Sequence, residues 1–216
     1  MDAETQIGTI RKRRRHTQNE RRALSDQRML EAALKLIARQ GSGRTTLAEI
    51  GEVAGYTYGL VSNRFGSKAA LIRAVTRMLQ SHFARRTFAE IENLTGLAAL
   101  KVLVEKYLTT MDSSGRRALY VLIGEALAPV PEIRPEMAEA DEGFRRHLET
   151  HIQRGITSGE IRSDVNPAAQ SALLVATLRG ISFQGLINPQ AFDRKTIASE
   201  LQLNIERTLR RPGVQS

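Results

Sequence analysis

The stretch TTLAEIGEVAGYTYGLVSNRFGSK, residues 45–68, decides the fold of this chain. Its first half places apolar side chains at i, i+3, i+6 and i+7, which predicts one side of a short helix: Leu47, Ile50, Val53 and Ala54. Gly55 follows, and glycine readily adopts the left-handed conformation that ends many helices. Thr57 then predicts a second helix, because its hydroxyl can accept a hydrogen bond from an amide of the first turn.

The second helix has a narrow apolar edge formed by Val61 and Phe65, which are four residues apart. Its remaining surface is mostly polar and faces outward. This arrangement is typical of a helix-turn-helix, whose second helix lies in the major groove of DNA, although an ordinary helical hairpin has the same pattern. Ser67 predicts the cap of a third helix, and Lys68 lies in its first turn, where it can contact a phosphate.

Charge is distributed unevenly along the 216 residues, whose net charge is +9. Residues 1–80 contain 15 Lys/Arg against 7 Asp/Glu, a net of +8, whereas residues 81–216 contain 17 against 16, a net of +1. The excess therefore accompanies the helix-turn-helix and favours a polyanionic partner. The absence of cysteine excludes disulfides, and no apolar run reaches the ~20 residues of a membrane span, so we expect a cytoplasmic protein without a membrane partner.

Three regions are predicted along the chain. Residues 1–24 form a disordered basic arm, since RKRRRHTQNERR at 11–22 contains seven Lys/Arg against one Glu. Such an arm can follow phosphates or enter a minor groove, and a solubilising tail is the alternative. Residues 25–80 form the helix-turn-helix domain, with Ser25 capping a first helix that runs to about Gln40. Residues 81–216 form a larger helical domain for regulation and dimerisation.

The larger domain is predicted to contain helices at 97–112, 116–128, 132–157, 167–187 and 193–209, after a long helix from Ser67 to about Ile91. The last two are too apolar for one small domain to cover, and small residues along the first of them permit close helix packing: Ala169, Ala172, Ala176 and Gly180. We therefore expect a four-helix interface between two copies, with an intramolecular core as the alternative. The predicted interface residues are Leu174, Leu178, Ile181, Ile197, Leu201 and Ile205.

Residues 29–79 resemble the DNA-binding domain of the TetR-type bacterial transcriptional regulators. The matching positions are Ala32, Ala33, Leu36, Gly41, Thr45, Thr46, Ile50, Ala54, Gly55, Thr57, Gly59, Val61, Phe65, Ser67, Lys68 and Leu71. One departure is Ser62, where the family often has a tyrosine that contacts the DNA backbone. The resemblance implies an all-α fold, a dimer formed by the last two helices, and a small-molecule pocket in the larger domain.

The predicted DNA-contacting residues divide into two groups. Tyr58, Leu60 and Asn63 project from the second helix and are candidates for contacts to bases, Asn63 above all because its amide both donates and accepts at an adenine edge. Thr46, Ser62 and Lys68 are candidates for phosphate contacts. The full predicted set also contains Arg44, Thr45, Thr57 and Arg64.

The larger domain has polar and aromatic side chains that interrupt apolar helix faces, as a ligand pocket requires. The candidates are Tyr107, Met111, Tyr120, Glu125, Phe144, Arg179, Phe183 and Gln184. Each residue taken singly is also consistent with core or surface. His147 and His151 have metal-ligand spacing, but the sequence between them is not a zinc hydrolase motif, so no metal or other cofactor is expected.

No nucleophile elbow, dinucleotide fingerprint or P-loop occurs in the chain, so an enzyme is not expected. The sequence predicts an all-α regulator of transcription: a homodimeric repressor that binds a palindromic operator in double-stranded DNA and is released by an unknown small-molecule effector. The alternative is a helical interaction module with a non-specific basic tail and no operator.

Overall fold

The computed structural model describes residues 17–94, 96–109, 113–127 and 133–213, with the side chains of 83–87 and 113 excepted. This part of the chain consists of helices joined by turns and loops. In these ranges the helices are α1 (Gln18–Arg44), α2 (Leu47–Ala54), α3 (Tyr58–Phe65), α4 (Lys68–Ile91), α5 (Gly96–Thr109), α6 (Ser113–Leu127), α7 (Arg134–Thr157), α8 (Pro167–Ile187) and α9 (Arg194–Leu209). The all-α prediction is confirmed, and no described helix is long and apolar enough to cross a bilayer.

The first helix begins earlier than its predicted cap at Ser25. Thr17 accepts a hydrogen bond from the Glu20 amide, and the Glu20 carboxylate accepts one from the Thr17 amide. This reciprocal capping box starts the helix at Gln18, so residues 18–24 are helical and their assignment to a disordered arm was wrong. Ser25 is not a cap: it is buried within α1 and donates to the Arg22 carbonyl. Residues 1–16 of the predicted arm lie outside the described residues.

Two hydrophobic cores hold the helices together. The first combines α1–α4 with one face of α6 and the start of α7, so that Ala118, Leu122 and Met137 lie in the core of the helix-turn-helix region. The second joins α5, α7, α8 and α9, with Leu100, Leu148 and other apolar side chains fully buried. Because α6 belongs to the first core, the helix-turn-helix region and the larger helical region share a packed boundary.

A turn at Gly41 connects several elements at this boundary. Gly41 has φ of 80° and interrupts α1 directly after Gln40, the predicted end of the first helix. The next amide, that of Ser42, donates to Oε1 of Glu125 on α6 at 2.8 Å, and the Gly43 carbonyl accepts from Nζ of Lys68 at 2.8 Å. The turn therefore links α1, α4 and α6 directly and leads into α2.

Half of the predicted interface residues lie inside the single chain. Leu174, Leu178 and Ile205 are 3%, 0% and 2% exposed and pack in the second core, so their assignment to a surface between copies was wrong. Ile181, Ile197 and Leu201 are half-buried beside that core. Apolar residues occur all around α8, so its sequence alone does not distinguish the inner from the outer side.

Candidate DNA interface, effector cavity and self-association face

The turn between α2 and α3 fixes the position of the second helix. Gly55 has φ of 77° and ends α2, and Thr57 Oγ1 accepts from the Leu60 amide at 3.2 Å to begin α3. Gly51 is buried against the turn, where an added Cβ would lie 2.8 Å from the Tyr56 carbonyl oxygen. Val61, on the inner side of α3, is fully buried and anchors this helix on the domain surface.

The outer side of α3 presents the expected residues unequally. Tyr58 is 59% exposed and Asn63 is also exposed, so both can reach a partner. Leu60 is half-buried and packs against the core, which leaves only part of its side chain outward. Ser62 is half-buried as well. On α2, Val53 is 55% exposed, because i+6 falls beside the buried stripe rather than on it.

Two residues assigned to DNA contact have structural roles instead. Thr45 is 2% exposed and its hydroxyl donates to the Gly41 carbonyl at 2.8 Å, so it closes the end of α1. Arg64 points back to α1, where its Nε lies 3.2 Å from Oδ1 of Asp26. The Arg64 side chain is 17% exposed, so its main partner is Asp26 and its assignment to direct DNA contact was wrong.

Three of the predicted DNA-contacting residues lie near the surface, close to the starts of α2 and α4. Arg44 is exposed, and Thr46 caps α2 in a second reciprocal box with Glu49. Hydrogen bonds from Thr46 and Gln40 lower the pKa of the Glu49 carboxyl, so it stays charged and holds the cap. Lys68 is half-buried and bonded to Gly43, so its ammonium is fixed close to this surface.

A cavity of about 490 Å³ opens between α4, α5, α6, α7 and α8. Three of the predicted pocket residues line it: Tyr107, Phe144 and Arg179. The rings of Tyr107 and Phe144 stack with centroids 5.7 Å apart and an angle of 10°, which gives the cavity a flat aromatic wall. The remaining lining residues are Arg77, Leu79, Gln80, Ser81, Phe88, Leu119, Met137, Glu139, Ala140, Gly143 and Arg146.

The other predicted pocket residues are placed elsewhere. Tyr120 supports the cavity from behind, since its hydroxyl donates to the Arg179 carbonyl at 2.8 Å, and burial raises the pKa of this phenol. Glu125 joins α6 to the Gly41 turn, while Phe183 and Gln184 are exposed on the outer side of α8, so these three do not line the cavity. Met111 lies outside the described residues.

Most residues that line the cavity are not among the predicted pocket residues. Leu119, Met137 and Gly143 come from two helices that meet only in the folded chain, and each fits an ordinary helix pattern taken alone. An apolar residue that lines a cavity has the same local sequence signal as one that packs in a core. No local signal could therefore have identified them.

His147 and His151 lie on α7, in the same half of the chain as the cavity. The Nε2 atoms of His147 and His151 lie 3.3 Å apart, and the Phe88 ring stacks on His147 at a centroid distance of 3.6 Å. Burial, the His151 ring and Arg154 lower the pKa of His147 to about 4, while burial and then Arg154 lower that of His151. Among the described residues no cluster of three or more metal-ligating side chains occurs.

The outer side of α8 exposes an apolar strip. Leu173, Phe183 and Ile187 are 62%, 52% and 69% exposed, and the small Ala172 and Ala176 are exposed on the same side. Leu203 on α9 adds a further exposed apolar side chain. A strip of this kind on a globular protein marks an interaction surface.

Comparisons with known families agree with this architecture. Residues 29–75 match the family described as "Bacterial regulatory proteins, tetR family", and residues 97–210 match "BetI-type transcriptional repressor, C-terminal". The probable HTH-type transcriptional regulator ArpR of Pseudomonas putida is 30% identical over 176 residues, which is 76% of this chain and 81% of ArpR. The HTH-type transcriptional regulator TtgR, also of Pseudomonas putida, is 25% identical over 172 residues, with coverage of 76% and 81%.

Solved structures have the same fold. A TetR-family regulator from Rhodococcus sp. aligns with a TM-score of 0.76 at 18% identity, covering 87% of this chain and 99% of that one. A regulator from Saccharomonospora viridis in complex with choline aligns with a TM-score of 0.77 at 22% identity, covering 88% and 99%. The chain belongs to the TetR family of bacterial transcriptional regulators, and it is a DNA-binding regulator of transcription.

Proposed function

We propose that this chain is a homodimeric repressor that binds a palindromic operator through α3 and leaves it when a small molecule enters the cavity. The observation that carries the proposal is the placement of Tyr58 and Asn63, exposed on a helix that Gly55 and Thr57 fix in a helix-turn-helix. The excess of positive charge in residues 1–80 supports a DNA partner, which also favours action in the cytoplasm.

The second copy would be bound by the apolar strip of α8. Leu173, Ala176 and Ile187 are exposed there, and a twofold axis lets the same strip on two chains cover itself. Small residues at its centre allow the two α8 helices to approach closely. A twofold dimer places two copies of α3 about one helical turn of DNA apart, or a multiple of that, which accounts for a palindromic operator.

The effector would be a largely apolar molecule of drug-like size. The cavity volume of about 490 Å³ and the stacked Tyr107 and Phe144 rings suit such a ligand. The neighbour from Saccharomonospora viridis was solved with choline, so this fold accommodates small molecules. The cavity touches α4, α6 and Met137 at the start of α7, all of which also pack in the DNA-binding core, so a ligand that moves them alters the position of α3.

A gel-shift assay tests DNA binding. The probes are a duplex from immediately upstream of the gene and a duplex of the same composition with scrambled sequence, at two salt concentrations. We expect the upstream duplex to be retained at the higher salt, where the scrambled one is released, because base contacts survive when phosphate contacts weaken. Equal binding of both probes at every salt concentration would instead support a non-specific basic tail.

Filling the cavity tests the effector site. Gly143 lines the cavity, and an added Cβ there would meet no atom within 4 Å, so Gly143→Phe places a ring in the ligand's volume. We expect this variant to bind the operator but to resist release by drug-sized apolar compounds. Ala138→Phe, at an exposed position of the same helix that does not line the cavity, is the matched control. Release of both variants by the same compounds would place the effector elsewhere.

A further inference from the structure

A groove runs between the first turns of α1 and the outer side of α3. It is open to solvent and encloses about 590 Å³. Its α1 wall follows the i, i+3, i+4, i+7 spacing of one helix stripe: Gln18, Arg21, Arg22 and Ser25. Opposite them lie Tyr56, Leu60, Asn63 and Arg64. The groove therefore has the base-reading candidate Asn63 on one side and two arginines on the other.

The groove is positively charged. Three arginines line it, and no carboxylate of the described residues does so. Asp26 neutralises Arg64, at 3.2 Å, whereas Arg22 is exposed and pairs with no described carboxylate. A cationic groove of this kind attracts a chain of phosphates, and arginine can bind a phosphate with two parallel hydrogen bonds.

The arginines are held on a rigid element. The capping box of Thr17 and Glu20 starts the helix one turn before Arg21, and Ser25 and Met29 are buried below. The match to the family's DNA-binding region begins only at residue 29, so this part of α1 precedes the matched part of the chain. An arginine on a helix loses less backbone freedom on binding than one on a flexible arm.

We propose that this groove binds the sugar-phosphate backbone beside the bases that α3 reads, with Arg22 as the main phosphate contact and Arg21 as its neighbour. The inference rests on the proposed function, because it assigns a further DNA-positioning surface to the same domain. Phosphates held here set the distance of Asn63 from the base edges. Binding by Arg22 is independent of base sequence.

The test measures affinity against salt for two probes: a duplex that the wild-type protein selects from a random pool, and a duplex of scrambled sequence. Arg22→Ala is expected to weaken both to the same extent, by about tenfold at low salt, and to lower the log–log salt slope by about one. Arg22→Lys keeps the charge and should restore the slope while affinity stays intermediate. Arg28→Ala, an exposed arginine on the same helix outside the groove, should retain the wild-type slope.

Two results would overturn the inference while leaving the proposed function intact. One is an Arg22→Ala protein with unchanged slope and affinity for the selected duplex. The other is a loss confined to one base pair, which would make Arg22 a base reader. An acidic peptide of mixed Asp and Glu is also tested as a competitor of DNA for the wild-type protein and for Arg22→Ala. If it displaces DNA from the wild-type protein only, while the salt slope of the variant is unchanged, the groove binds a protein partner instead. If the wild-type protein selects no DNA sequence, the proposed function itself fails.

Discussion

The outer side of α1 and α3 and the outer side of α8 are both exposed, but they expose opposite chemistry. The first presents arginines and polar side chains such as Arg22 and Asn63, and the second presents Leu173, Phe183 and Ile187. A polyanion suits the first and a second copy of the chain suits the second. The two associations should therefore respond differently to salt, since screening weakens phosphate contacts and leaves apolar burial almost unchanged.

The largest effect is expected from a charge on the α8 strip. Ala176→Arg places a guanidinium at the centre of the proposed interface, so the dimer should dissociate, and operator affinity should fall by about 10²–10⁴-fold because the two half-sites are no longer bound together. Analytical ultracentrifugation and gel shift measure the two losses. Ala138→Arg, which adds the same charge to an exposed alanine of α7, should leave both unchanged. A dimer that survives Ala176→Arg would move the interface away from α8.

A smaller and more selective effect is expected on the DNA side. Asn63→Ala removes the exposed amide of α3, and operator affinity should fall by roughly 1–3 kcal/mol with relaxed preference at one base pair in each half-site. Lys68→Ala should weaken all sequences alike and lower the salt slope by about one. Binding selections on the two variants distinguish them. Full base preference in Asn63→Ala would mean that another residue reads the operator.

The packed boundary between the helix-turn-helix region and the larger helical region is tested at Glu125. Glu125→Ala leaves the Ser42 amide without its acceptor, which should reduce the free energy of unfolding by about 1–2 kcal/mol and loosen the turn that leads into α2. Glu125→Gln keeps an acceptor oxygen and should lose less. Urea denaturation measures the difference, with Glu200→Ala on the exposed side of α9 as a control. Equal stability of Glu125→Ala and wild type would contradict a structural role for this hydrogen bond.

The smallest effect concerns His147 inside the regulatory half. Its pKa is about 4 in the folded chain and near 6.5 when unfolded, so the unfolded state binds more protons between these values and stability falls as the pH drops from 6.5 to 4. After allowance for screening at this half-buried site the loss is on the order of 1 kcal/mol. His147→Phe should remove this part of the pH dependence, whereas His82→Phe, at an exposed position, should not. If the free energy of unfolding changed with pH in the same way for wild type and His147→Phe, this role of His147 would be refuted.

Sequence reasoning succeeded where the signal is local. Gly55, Thr57 and Ser67 end and begin helices through their own backbone and side-chain chemistry, and the structure places each as predicted. The start of α1 has an equally local signal, the Thr17 to Glu20 spacing, which was overlooked because the surrounding arginines resemble a disordered arm.

Sequence reasoning failed where the answer depends on which helices meet. Arg64 has an outward position on α3 by spacing, yet Asp26 on α1 draws it back. Leu178 and Leu173 are indistinguishable by type, but one is fully buried and the other is 62% exposed, since only the packing of α8 against α7 selects the inner side. The cavity likewise requires the arrangement of five helices.

The most direct measurement is selection of bound duplexes from a random pool by the wild-type protein, followed by footprinting of the enriched sequence. We expect an inverted repeat whose half-sites are about one helical turn apart, or a multiple of that, protected by a protein dimer. Enrichment of no sequence, or protection of a single unsymmetrical half-site by a monomer, would contradict it.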